Sequence, residues 1–210
     1  MSTTDPPAWD ARVRPAWAAT DPLLRRYYDE EWGQCQVTEA AIFERLCLEV
    51  FQAGLAWRTV LGKRPALRDA FADFAPDAVA AFTAADVERL LTDPRLIRNR
   101  AKIAATVTNA RATVELRRGG GLARLVWDQQ PAVTPVPLHP ADVPSASPQS
   151  RALTGALRER GFVRVGPVTL FALMEAIGVV DTNLVGTWKR GITGLWDVRG
   201  RRRCRPPGLL

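Results

Sequence analysis

The chain has 210 residues, of which 47% are hydrophobic and 24% charged, with a formal net charge of +7. Its longest apolar run, VTLFALMEAIGVV, is too short to span a bilayer and is interrupted by Glu175, and MSTTDPPAWD has neither a basic leader nor an apolar signal stretch. Neither membrane insertion nor secretion is expected, and a soluble cytoplasmic protein able to bury a sizeable core is expected.

Helix signals run through the chain. Asp21-Pro22 supplies a cap and a first-turn proline ahead of LLRRYYDEEW, and Thr38 caps EAAIFERLCLEVFQ. Pro65 and Pro76 are placed to open further short helices, and Thr83 with Asp86 forms a capping box before VERLL. DVERLL, the basic turn TDPRLIRNR and AKIAATVTNARATVEL make a helical hairpin over about residues 86–113, whose backbone amides, Arg95, Arg98, Arg100 and Lys102 can face phosphates. The turn has no glycine, so by pattern alone an ordinary helical hairpin is the plainer reading. Five prolines in Gln129 to Ser147 predict a long extended connection, a possible domain boundary. Ser147-Pro148 starts another helix, and Gly161 and Gly178 suit the left-handed position after helix ends. Only FVRVG resembles a strand, too short to build a sheet, so the class is all-α.

Arg199, Arg201, Arg202, Arg203 and Arg205 supply five of the +7 charges and leave +2 elsewhere, so the basicity belongs mostly to a tail, expected to be flexible. Such a tail neutralises phosphates without sequence specificity or simply solvates the end of the chain. Residues 1–14 are expected to be flexible, residues 15–198 one helical domain with the proline-rich loop at 129–147, and residues 199–210 the basic tail. Cys35, Cys47 and Cys204 are odd in number and widely spaced, which predicts free thiols.

One acid is conspicuous. With Phe43 at zero on a helical wheel, Leu46, Cys47, Val50 and Gly54 fall within about 60° and form a buried stripe, whereas Glu49 lies about 120° away, on the flank. A surface pair with Arg45 is the plain reading. The company suggests another: Tyr27, Tyr28 and Trp32 share one helix, Trp17 precedes it, and Trp57 follows Glu49 across the turn QAGLA. A carboxylate among aromatic rings suits a planar, electron-poor base.

YYDEEWG, FERLCLEVFQAGLAWRTVLGKR, DVERLLTDPRLIRNRAKIAATVTNARA and VPSASPQSRALTGALRERGFVRVG resemble, in order, the bacterial 3-methyladenine DNA glycosylase I (Tag) family, over roughly Trp17 to Gly186. The resemblance implies an all-α helix-hairpin-helix glycosylase that flips an alkylated base out of double-stranded DNA and frees 3-methyladenine. By it, Glu49 matches the carboxylate that recognises the base, Tyr27 and Trp57 the pocket aromatics, and Trp17 and Trp32 the surrounding shell. Gly54 and Leu55 match the turn that fills the gap left by the flipped nucleotide. Lys102 invites a lyase reading through a Schiff base, but the family is monofunctional, so a phosphate-facing or solvated lysine is expected.

The resemblance also implies a structural zinc held by two Cys and two His. The matching positions here are Pro15, Tyr28, Asn183 and Thr187, and the single histidine, His139, lies in the proline-rich loop, so no metal and no cofactor are expected. In place of a metal clip, Trp188, Ile192, Leu195 and Trp196 are expected to pack on the body. Pro167 stands where the family tends to have a hydroxyl residue. Three readings follow: a monomeric 3-methyladenine glycosylase, a paralogue for another or bulkier alkylated purine, and a non-catalytic lesion-binding protein.

Overall fold

The computed structural model describes residues 11–208, which are all-α: ten α-helices and three short 3-10 turns, with two isolated β-bridges and no strand among the described residues. The first helices are α1 (Ala16–Ala19), α2 (Pro22–Glu30) and α3 (Glu39–Gln52). Asp21 caps α2 by accepting from the Leu23 and Leu24 amides, and Thr38 accepts from the Ala41 amide at the start of α3. Next come α4 (Trp57–Ala70), α5 (Pro76–Ala80) and α6 (Ala84–Thr92), the last opened by the Thr83/Asp86 capping box. The remainder are α7 (Arg100–Leu116), α8 (Gly121–Trp127), α9 (Pro148–Arg158) and α10 (Pro167–Ala176). Pro65 does not open a helix as expected but lies inside α4, which starts at Trp57 without a side-chain cap. Packing of Val60, Leu61 and Leu67 carries the helix through the lost hydrogen bond.

α3 is the central helix, packed against α4, α7, α8 and α10. Every residue from Ile42 to Phe51 is buried, so the helix has no solvent flank, and the placement of Glu49 on one is corrected. Burial of Phe43, Leu46, Leu48 and Phe51 contributes about 1.5–3 kcal/mol each. Two buried charged residues of this helix, Glu44 and Arg45, find partners. Glu44 accepts from Arg64 Nε at 2.8 Å and Arg68 Nε at 2.6 Å, while Glu31 accepts from Arg64 and from Arg45 at 3.0 Å. Burial alone would raise the Glu44 carboxyl, but the Arg68 and Arg64 guanidinium groups pull it down to about 2. Arg45 is thereby committed to Glu31 and Glu44 rather than to Glu49.

The proline-rich loop and the chain end hold each other. Thr134 Oγ1 donates to the Asp181 carbonyl at 3.1 Å, and the Val185 amide donates to the Pro137 carbonyl at 2.9 Å. The basic tail, expected to be flexible, is instead docked as far as Arg205: Arg201 and Arg202 bridge to Val133 and Trp196, the Arg203 amide donates to the Leu195 carbonyl at 2.8 Å, and Arg205 pairs with Asp128. Gly200 makes this approach possible, since at φ +75° a Cβ would lie 2.4 Å from the Thr134 carbonyl oxygen. Leu195 and Trp196 are buried as expected, Trp188 is half-buried, and Ile192 is exposed. Before position 15, Arg14 pairs with Asp29 at 2.7 Å and Arg12 lies over the Trp188 ring, so these two residues contact the helical body. Residues 1–10 lie outside the described residues.

Candidate active site

α2, α3, the start of α4, α10 and the segment after α10 surround a cavity of about 470 Å³, within the range of small-ligand sites. Tyr27 and Trp57 meet in its wall edge to face, with ring centroids 5.3 Å apart. Trp17 contacts Tyr28 at 5.4 Å and Trp32 at 5.7 Å, and Tyr28 stacks on Trp32, so these three rings form a second aromatic group lining the cavity. Asp21 binds Arg58 of α4 while capping α2, which ties those two helices together.

Glu49 lines this cavity and is 7% exposed, with no hydrogen-bond donor and no cation paired to its carboxyl among the described residues. Burial, with a smaller contribution from the neighbouring Glu175, pushes that carboxyl up to about 8. An unpaired buried acid is costly, so a ligand that brings positive charge or donors to it is favoured. The cavity walls offer apolar stacking surface, and the acid offers the directional contact.

The sequence family model described as methyladenine glycosylase matches residues 17–190. The chain belongs to the methyladenine glycosylase family. It is 41% identical over 177 residues to DNA-3-methyladenine glycosylase 1 of Escherichia coli, covering 82% of this chain and 94% of that protein. It is 38% identical over 176 residues to DNA-3-methyladenine glycosylase of Haemophilus influenzae, covering 82% and 95%. A crystal structure of 3-methyladenine DNA glycosylase I superposes with a TM-score of 0.81 at 38% identity, covering 84% of this chain and 98% of that one. A Staphylococcus aureus structure described as showing the structural basis of 3-methyladenine recognition has a TM-score of 0.77 at 33% identity, covering 80% and 92%.

Glu49, Tyr27, Trp57, Trp17 and Trp32, singled out in the sequence, all line this same cavity. The surface-facing candidates are distributed differently. Gly54, at φ +80°, and Leu55 form an exposed turn at the end of α3. Arg95 pairs with Asp93 and Asp69, and Arg100 with Glu88, whereas Arg98 is exposed and unpaired among the described residues.

Lys102 is neither phosphate-facing nor solvated: it is buried, and its Nζ donates at 2.6 Å to both the Phe51 and Ala53 carbonyls. It caps the C-terminal end of α3 and ties α7 to the Gly54 turn, where a cation also suits the helix dipole. Incubation with abasic DNA and borohydride is expected to trap no covalent adduct, and a Lys102-dependent adduct would overturn this assignment.

The four positions matched to zinc ligands do not fit that metal. The Tyr28 hydroxyl donates to Asn183 Oδ1 at 2.8 Å, Asn183 Nδ2 donates to Asp181 at 2.8 Å, and Thr187 Oγ1 donates to the Leu184 carbonyl at 2.7 Å. Burial holds the Tyr28 phenol up at about 12, so it stays a neutral donor, and Pro15 has no side-chain donor atom for a metal. A hydrogen-bond chain thus joins α2 to the segment after α10. Sequence reasoning did not assign Gln52, Arg58, Pro140, Val143, Glu175 or Thr182 to the cavity. For Glu175 a signal existed, as the one acid in the longest apolar run.

Proposed function

We propose that this chain is a monofunctional DNA-repair glycosylase: it extrudes 3-methyladenine from double-stranded alkylated DNA and hydrolyses the N-glycosidic bond, releasing the free base. The observation that carries the reading is the unpaired, buried Glu49 carboxyl inside a cavity walled by Tyr27, Trp57, Trp17 and Trp32. Methylation at N3 gives the purine a positive charge, so the base departs readily when water attacks the sugar, and no strong general acid is required, unlike ordinary glycoside hydrolysis. The protein's part is recognition. With its carboxyl near 8, Glu49 is largely protonated in the free protein at neutral pH, and a cationic base draws out the proton and gains a carboxylate partner. Unmodified adenine brings no charge and leaves the acid poorly compensated.

On this reading Glu49 is the catalytic residue and the rings hold the flipped base. Gly54 and Leu55 fill the vacated stack, and Arg98 with the backbone of the α6–α7 turn meets phosphate as a helix-hairpin-helix element. Arg95 and Arg100 contribute there only by exchanging their carboxylate partners for phosphate. The protein acts as one domain, as a monomer and in the cytoplasm. No helix among the described residues is long and apolar enough to cross a membrane. The test is release of free 3-methyladenine from methylated duplex DNA by the purified protein, followed by chromatography. Tight binding to that DNA without release would instead establish a lesion binder.

A further inference from the structure

Glu175 is the second acid in the cavity, and its position is electrostatically unfavourable in three ways. It occupies the penultimate residue of α10, where the negative end of the helix dipole disfavours a carboxylate. It lies in the most apolar segment of the chain. It also shares its cavity with Glu49, so ionising both acids would set like charges against one another. Among the described residues no cation pairs with it, and its one side-chain partner is Thr182, whose Oγ1 donates to Glu175 Oε1 at 2.6 Å. A glutamine would keep that hydrogen bond without the three penalties, so the acid is explained by what enters the cavity rather than by packing.

We propose that Glu175 is a specificity-determining residue of this site, a second carboxyl that reads the bound base together with Glu49. The inference rests on the functional reading above. Two acids that line one cavity and interact electrostatically favour sharing one proton, and burial, with Thr182 opposing it, places the Glu175 carboxyl at about 7, beside Glu49 at about 8. The pair then offers one acceptor and one donor at once. That combination fits a purine carrying an amino group next to a ring nitrogen, where the amino group donates to the carboxylate and the ring nitrogen accepts from the carboxylic acid. A 6-oxopurine presents the reverse pattern at that edge, which the pair meets only by moving its proton to the other carboxyl. The other titratable or charged groups of the cavity are Tyr27 and Tyr28 from α2 and Arg58 from α4. The segment after α10 contributes Thr182 and Asn183, the proline-rich loop contributes Pro140 and Val143, and α9, although packed on α10, contributes nothing.

The experiment is quenching of tryptophan fluorescence by free 3-methyladenine from pH 5 to 9, for the wild-type protein, Glu175→Gln and Glu49→Gln, with 3-methylguanine as the 6-oxo comparison. Glu175→Gln is expected to move the midpoint of the pH dependence toward acid by at least about half a unit, because it removes the neighbour that raises Glu49. It is also expected to reduce the preference for the 6-amino base by about tenfold, with melting unchanged or raised. An unchanged profile and preference in Glu175→Gln, with binding lost in Glu49→Gln, overturns this inference alone. Failure of the wild-type protein to bind 3-methyladenine overturns the functional reading, and the inference with it.

Discussion

Glu49→Gln is expected to reduce release of 3-methyladenine from methylated duplex DNA by about 10- to 100-fold while making the ligand-free protein more stable at pH 8. The loss follows from replacing a charge-assisted hydrogen bond to a cationic base by a neutral one, a difference of about 1.5–3 kcal/mol. The gain in stability follows from linkage. In the folded chain the Glu49 carboxyl titrates near 8 rather than at its ordinary 4.5, and Glu175 near 7 rather than 4.5. Because the folded state holds these protons more tightly, their contribution is fully present below about pH 4.5 and is lost as pH rises toward 8. The carboxyls depressed by arginine act in a different window: Glu44, pulled down to about 2, loses its contribution only below its ordinary 4.5. From pH 5 to 8 the cavity acids therefore set the slope, with a loss on the order of a few kcal/mol. Thermal melts at four pH values across this range are expected to fall for the wild-type protein and to flatten for Glu49→Gln. A wild-type melting temperature that rises with pH would refute the buried-acid account, whatever the activity.

How much of this was legible in the sequence depends on how local each cause is. Caps act over three or four residues, so Asp21, Thr38, Thr83 with Asp86, and Ser147 marked helix starts that the structure contains. Pro65 misled because the same residue suits a first turn and is tolerated, at a cost, inside a helix whose other faces are packed. A helical wheel assumes one buried face. α3 is enclosed on every side, so the position of Glu49 was misplaced although the residue itself was identified. Lys102 has the sequence appearance of a surface cation, and its actual partners, the Phe51 and Ala53 carbonyls, are about fifty residues away along the chain. The arginine tail likewise looks solvated until Gly200 is seen to let its backbone close on Thr134. Glu175 and Glu49 are brought into one cavity by the packing of α10 on α3, which no local pattern encodes.

Truncation after Gly186 is expected to lower the melting temperature sharply, by tens of degrees, and to weaken binding of 3-methyladenine by the chains that remain folded. The deleted segment carries Leu195 and Trp196, at 3% and 1% exposure, each contributing about 1.5–3 kcal/mol by burial. It also carries the backbone bonds that close the proline-rich loop, from Arg202 to the Ala132 carbonyl and from Thr134 to Gly200. Their sum is a large fraction of the roughly 5–15 kcal/mol typical of a folded domain. Lys189 lies in the same segment, fully buried, and its Nζ donates to the Tyr28 and Trp32 carbonyls at the end of α2. Burial lowers its ammonium to about 8, so desolvation offsets much of what those bonds contribute, and its role is to position the cavity wall more than to supply stability. Lys189→Met is therefore expected to cost far less in melting temperature than the truncation, yet to weaken 3-methyladenine binding comparably, because both release the carbonyls that orient Tyr28 and Trp32. A truncated chain that melts like the full protein would show that the termini are held by the α2–Asn183 hydrogen bonds alone. Equal melting losses for both variants would place the stabilising energy in the lysine rather than in the apolar clasp.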